Sequence, residues 1–107
     1  MMEVGKLKEW IVNHQVEKRT LENFFLNFDN YMKEQAEEFH MFFGDYDDKY
    51  LDVYLKKIAL MLDNFPVLDY VHVISYLLIE YKGKVVGEYR LLLTLDGEVY
   101  DFLLTLY

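Results

Sequence analysis

The sequence predicts one α+β domain spanning residues 1–107, with helices over about 3–13, 21–43 and 47–64 packed on a C-terminal three-stranded antiparallel meander over about 70–81, 84–95 and 98–107. Three observations carry that reading. Up to Phe65 the apolar residues recur at spacings of three and four, the helical period. From Asp69 the period changes to two. Asp96-Gly97 then sits between two alternating apolar runs, a strong short-range hairpin signal.

Val4, Leu7, Trp10 and Ile11 share one face of the first helix, with His14 at its end. A polar stretch from Asn13 to Arg19 interrupts the pattern. Thr20 then offers an N-cap, with Glu22 in the first turn where a negative charge suits the helix dipole. Leu21, Phe24, Phe25, Phe28, Tyr31, Met32, Ala36, Phe39 and Phe43 follow at helical spacing, the strongest periodic signal in the chain. They predict an unbroken helix of about 33 Å, stopped by Gly44. Asp45 or Asp47 can cap a third helix, whose face reads Tyr50, Leu51, Tyr54, Ile58, Met61, Leu62 and Phe65. Val53, Leu55 and Leu60 lie off that face, so the segment is apolar around much of its circumference. Asn64 before Phe65-Pro66 ends it, because the residue preceding proline avoids the α region.

In the meander, a two-residue Asp96-Gly97 loop pairs Leu95 with Glu98, Leu93 with Tyr100, Leu91 with Phe102, Tyr89 with Leu104 and Gly87 with Leu106. The first hairpin has two acceptable registers. A two-residue Lys82-Gly83 loop puts Ile74, Tyr76 and Leu78 on the core face. A three-residue loop with Gly83 as a bulge chooses Val71, Val73, Leu77 and Ile79 and pairs Glu80 with Lys84. Strand 70–81 is apolar on both faces, and in a three-stranded meander it is an edge. A long apolar edge invites pairing with another chain. That makes Val71, Val73, Leu77, Ile79 and Tyr81 the candidate interface of a homodimer.

Composition narrows the function classes. The chain is rich in aromatics, with 10 Tyr and 8 Phe, and contains no cysteine, which excludes disulfides, thiolate metal sites and cysteine nucleophiles. No secretory signal opens it and no apolar run is long enough to span a bilayer, so a cytoplasmic protein is expected. The net charge is −8, and residues 34–52 hold seven acids against Lys49, a net of −6 for that segment. Phosphate backbones and anionic lipids are repelled by such a surface, so neither a nucleic acid nor a membrane is expected as partner. A basic protein is attracted, and Glu34, Glu37, Glu38, Asp45, Asp47 and Asp48 form the candidate acidic surface for it.

Chemical motifs are weak. Glu37 and His40 have the Glu-x-x-His spacing of bundle di-metal sites, but one copy does not make such a site. Asp45-Tyr46-Asp47-Asp48 begins like a calcium loop, yet Tyr50 and Lys56 stand where that loop needs Gly and Glu. No metal or other cofactor is therefore expected. His72, Tyr76 and Tyr89, with Asp69 nearby in sequence, are the candidate lining of a pocket between sheet and helices. Helices followed by an antiparallel sheet also give a layout that resembles the cone-shaped nuclear-transport-factor-2-like domains. That resemblance lies in arrangement and in no motif, and it implies the same pocket.

The expectation is a small acidic, non-catalytic protein-binding or regulatory domain that self-associates through its sheet. Two alternatives stand beside it: a small-molecule or enzymatic pocket between sheet and long helix, and a subunit of a larger hetero-assembly.

Overall fold

A computed structural model describes residues 4–63 and 70–107. It is an α+β fold with three helices followed by a four-stranded antiparallel sheet: α1 Val4–Asn13, α2 Val16–Glu34, α3 Ala36–Phe43, a 3-10 turn Asp48–Tyr50, then β1 Leu51–Asp63, β2 Tyr70–Tyr81, β3 Lys84–Leu93 and β4 Val99–Leu106. The strands lie in sequence order, β1-β2-β3-β4.

Over its described residues the expected third helix, 47–64, is the 3-10 turn followed by strand β1 instead. Asp47 does act as a cap, its side chain accepting from the Lys49 amide at 3.1 Å, but the capped element is the single 3-10 turn. β1 hides its period because it is bulged. Leu55 pairs with Leu77 and Lys57 with Tyr76, so Lys56 is an extra residue. Inward positions run Leu51, Val53, Leu55 before the bulge and Ile58, Leu60, Leu62 after it. Spacings of four, three and four between Leu51, Leu55, Ile58 and Leu62 are what an α-helix would show. Asn64-Phe65-Pro66 lies outside the described residues.

The expected helix 21–43 is two helices, and its N-terminus lies earlier. α2 starts at Val16, after Gln15 takes a left-handed φ of 50°. Thr20 is therefore not a cap but a buried helical residue. Its hydroxyl sits 2.6 Å from the Val16 carbonyl oxygen and 2.9 Å from Ser75 Oγ. Having one proton, it donates to the carbonyl and accepts from the serine. The second break falls at Gln35, with φ −123° and ψ 49°. Its purpose is visible in the rings it brings together: Phe28 lies 5.5 Å from Phe39 and 5.6 Å from Phe43 between centroids. In a straight helix Phe28 and Phe39 would be about 16 Å apart along the axis. Burying three phenylalanines in one cluster outweighs the hydrogen bonds lost at the kink. Gly44 ends α3 as expected, at φ 60° with its amide on the His40 carbonyl at 2.8 Å.

Both hairpins contain offsets. Lys82 and Gly83 have positive φ, 52° and 77°, the two-residue type I′ geometry, and Tyr81 pairs with Lys84. Val86 is then skipped, so Ile79 faces Gly87 and the inward set becomes Val73, Ser75, Leu77, Ile79 and Tyr81. The loop comes from one expected register and the buried face from the other. In the last hairpin Gly97, at φ 87°, follows Leu95 and Asp96 in a three-residue loop closed by the Thr94 amide on the Glu98 carbonyl at 2.8 Å. That shifts the register by one, pairing Leu93 with Val99 in place of Tyr100, and a second irregularity at Tyr100 shifts it back. From Leu92–Asp101 onward the pairs Leu91–Phe102, Tyr89–Leu104 and Gly87–Leu106 are those expected.

The core lies between the helices and the inner sheet face, where Val16, Phe24, Phe28, Phe39 and Phe43 meet Leu77, Ile79, Tyr89, Leu91 and Leu93. α1 joins at one end, with Trp10 Nε1 donating to the Leu95 carbonyl at 2.8 Å and the His14 ring against Gly97. The outer face carries Ile74, Tyr76, Leu78, Arg90, Leu92 and Leu103.

Candidate functional site

Strand β2 is not an edge, because β1 pairs along its whole length. Four of the five residues read as an interface, Val73, Leu77, Ile79 and Tyr81, are buried on the inner face, and Val71 is half-buried beside Leu62. Tyr81 has a local task. Its hydroxyl accepts from the Asp47 amide at 2.9 Å and donates to the Asp45 carbonyl at 3.4 Å, fastening the loop after α3 to the sheet.

The three pocket residues do not converge. Tyr89 points inward, fully buried against Phe24, and its hydroxyl accepts from Asn27 at 2.9 Å and donates to Asn23 at 3.3 Å. His72 and Tyr76 alternate with inward-facing Val73, Ser75 and Leu77 and so belong to the outer face. There Tyr76 lies beneath the Lys57 ammonium at 4.5 Å and the Arg90 guanidinium at 5.3 Å, and His72 meets the Tyr100 ring at 6.1 Å. The space between α2 and the sheet, where the cone-like layout would hold a ligand, is filled by Phe24, Phe28, Tyr89 and Leu91.

The kink at Gln35 divides the acidic segment. Asp47 and Asp48 join Asp29 at a cleft on the β1 side, with Phe25, Tyr46 and Leu51. Asp47 already holds the Lys49 ammonium at 3.6 Å there. Burial first, then the charges of Asp48, Tyr81, Asp29 and Asp47, push the Tyr46 hydroxyl up to about 12. Glu34 and Glu38 go to the opposite side, where α2 and α3 overhang β4. Asp45 and Glu37 are exposed and border neither cleft.

The β4 cleft, about 430 Å³, is the arrangement that sequence reasoning missed. Glu34 and Glu38 form one wall with Asn27, Asn30 and Gln35, and the strand forms the other. Phe42, Phe102 and Leu103 contribute exposed apolar surface, 41%, 44% and 50% accessible. No lysine or arginine lines the cleft, and neither glutamate forms an ion pair among the described residues. At its floor the Tyr31 hydroxyl is buried without a partner at full hydrogen-bonding geometry. Burial, then the charge of Glu38, raises its pKa. Chemically the cleft sets two carboxylates beside exposed apolar surface. Among the described residues no three of His, Asp or Glu are placed to hold a metal ion, and no helix is long and apolar enough to cross a membrane.

No family model, curated protein or solved structure matches the chain.

Proposed function

We propose that the chain is a non-catalytic protein-binding domain whose partner presents positive charge. The observation supporting this is the β4 cleft, where two carboxylates in no ion pair among the described residues stand beside exposed Phe42, Phe102 and Leu103, with no cation among the lining residues. Aromatic anchors with a charged rim are the usual composition of a recognition surface. A long-range field from a net charge of −8 would steer a basic partner towards it.

The test uses two variants of equal net charge. Glu34→Lys with Glu38→Lys reverses the cleft, while Glu9→Lys with Glu17→Lys reverses two exposed positions on α1 and α2 away from it. A basic protein captured by the wild type and the α1–α2 variant but lost by the cleft variant is the expected result. Equal loss in both variants reduces the interaction to net charge and contradicts the proposal.

Self-association through the sheet is the second reading. It is supported by the outer face, where Leu103 is half exposed in line with Tyr76 and Arg90 and the core cluster draws on the inner face instead. Sedimentation of the purified chain as a concentration-independent monomer would contradict it.

A further inference from the structure

We infer that the β4 cleft takes its partner as an extended cationic segment added to the sheet as a fifth strand, an inference that rests on the protein-binding reading above. The two sheet edges differ in how far they are protected. β1 carries a bulge at Lys56, a second lysine at Lys57, and acids at Asp52 and Asp63. Bulges and charges, lysine above all, are how natural edges avoid pairing. β4 reads Val-Tyr-Asp-Phe-Leu-Leu-Thr-Leu, with no lysine, arginine or proline, and it is regular from Asp101 to Leu106.

The direction of its free hydrogen-bonding groups follows from one bond. The Tyr107 amide donates to the Val86 carbonyl at 2.9 Å, so along an antiparallel ladder the amides of Phe102, Leu104 and Leu106 point away from β3. Asp101 Oδ1 accepts the Phe102 amide at 2.8 Å, which closes the strand's first outward position. Leu104 and Leu106 remain, and both border the cleft. A segment laid there pairs its backbone with these groups. Its alternate side chains then fall towards Glu34 and Glu38 on one side and towards Leu103 on the other.

Charge decides the occupant. A second copy of this chain pairing β4 to β4 would bring its own Glu34 and Glu38 towards the first pair, with no cation in either cleft to offset them. An acidic or neutral strand leaves the two carboxylates without a countercharge. A strand alternating lysine or arginine with β-branched residues satisfies the ladder, the glutamates and the apolar rim together.

The experiment titrates the full chain, labelled for amide NMR, with an end-blocked octapeptide alternating Lys and Val. Comparison peptides alternate Glu and Val, or carry N-methyl groups on every second residue of the Lys-Val sequence. The expected result is saturable binding of the Lys-Val peptide with slowing of hydrogen exchange at Leu104 and Leu106 by at least about tenfold. The Glu-Val peptide should not bind, and N-methylation along the pairing edge should abolish the protection. Binding that survives N-methylation in either register, or that shifts Glu34 and Glu38 without protecting β4, overturns strand addition and leaves the protein-binding reading standing. Protection of β4 that grows with protein concentration in the absence of peptide assigns the edge to a second copy and overturns the cationic occupant. Absence of Lys-Val binding at millimolar peptide overturns the inference as well.

Discussion

Gly87 shows how closely single side chains constrain this fold. It pairs with Leu106, and a Cβ added there would lie 2.5 Å from the Thr105 carbonyl oxygen and 2.8 Å from Leu106 Cδ2. The obstruction is partly backbone, so it cannot be relieved by a rotamer change. Gly87→Ala should destabilise the chain by about 1–3 kcal/mol, read as a lower urea midpoint with an unchanged slope. An unchanged midpoint would show that β4 shifts freely at that position. Tyr89 and Tyr46 supply a pH dependence. Burial pushes Tyr89 up to about 12, offset in part by its Asn27 hydrogen bond, and Tyr46 also reaches about 12. In the unfolded chain both ionise near about 10. Between those values the unfolded state holds fewer protons than the fold, so stability falls as pH rises from 10 towards 12. Phenolate absorbance should therefore show a late-titrating fraction that appears together with unfolding. Titration of every tyrosine near pH 10 with the fold intact would contradict the burial of both rings.

The lesson at the scale of elements is that one extra residue can change the apparent secondary structure. β1 is rich in leucine and lysine, good helix formers, and its bulge at Lys56 turns a strict alternation into helical spacing. The sequence of 51–62 therefore supports a helix locally, and the long antiparallel pairing with β2 is the reason it is a strand. Such a pairing partner is invisible to local pattern. The same holds for the hairpins: the positions of the Lys82-Gly83 and Asp96-Gly97 turns are legible, whereas the third loop residue, Leu95, and the irregularities at Val86 and Tyr100 depend on which face must be buried. The kink at Gln35 was illegible for a related reason. Phe24, Phe28, Phe39 and Phe43 keep helical spacing across it, and only their mutual packing requires the break. Deleting Lys56 tests the bulge directly. Without it, Leu55, Lys57 and Ile58 run inward, outward and inward in strict alternation, so every inner-face residue keeps its face. The expected result is retained cooperative unfolding, and its loss would contradict the assignment of Lys56 as the extra residue.

For the whole molecule, the sequence carried the sign of the surface but not its division. The acids of 34–52 could be counted, yet the fold sends Glu34 and Glu38 to one side and Asp47 and Asp48 to the other. The candidate site combines α2, α3 and β4, and residues as distant in sequence as Phe42 and Phe102 meet there only because β4 closes the sheet beneath the helix pair. One part of the site was open to sequence reading: the absence of lysine, arginine and proline from 99–106 marks an unprotected strand. This cleft, with its two carboxylates, is the surface we propose for binding. Its most direct measurement is the affinity of the alternating Lys-Val octapeptide for the wild type and for the Glu34→Lys, Glu38→Lys variant across a range of salt. The variant should bind at least about tenfold more weakly, with a flatter salt dependence. Equal affinities and parallel salt curves would contradict the account.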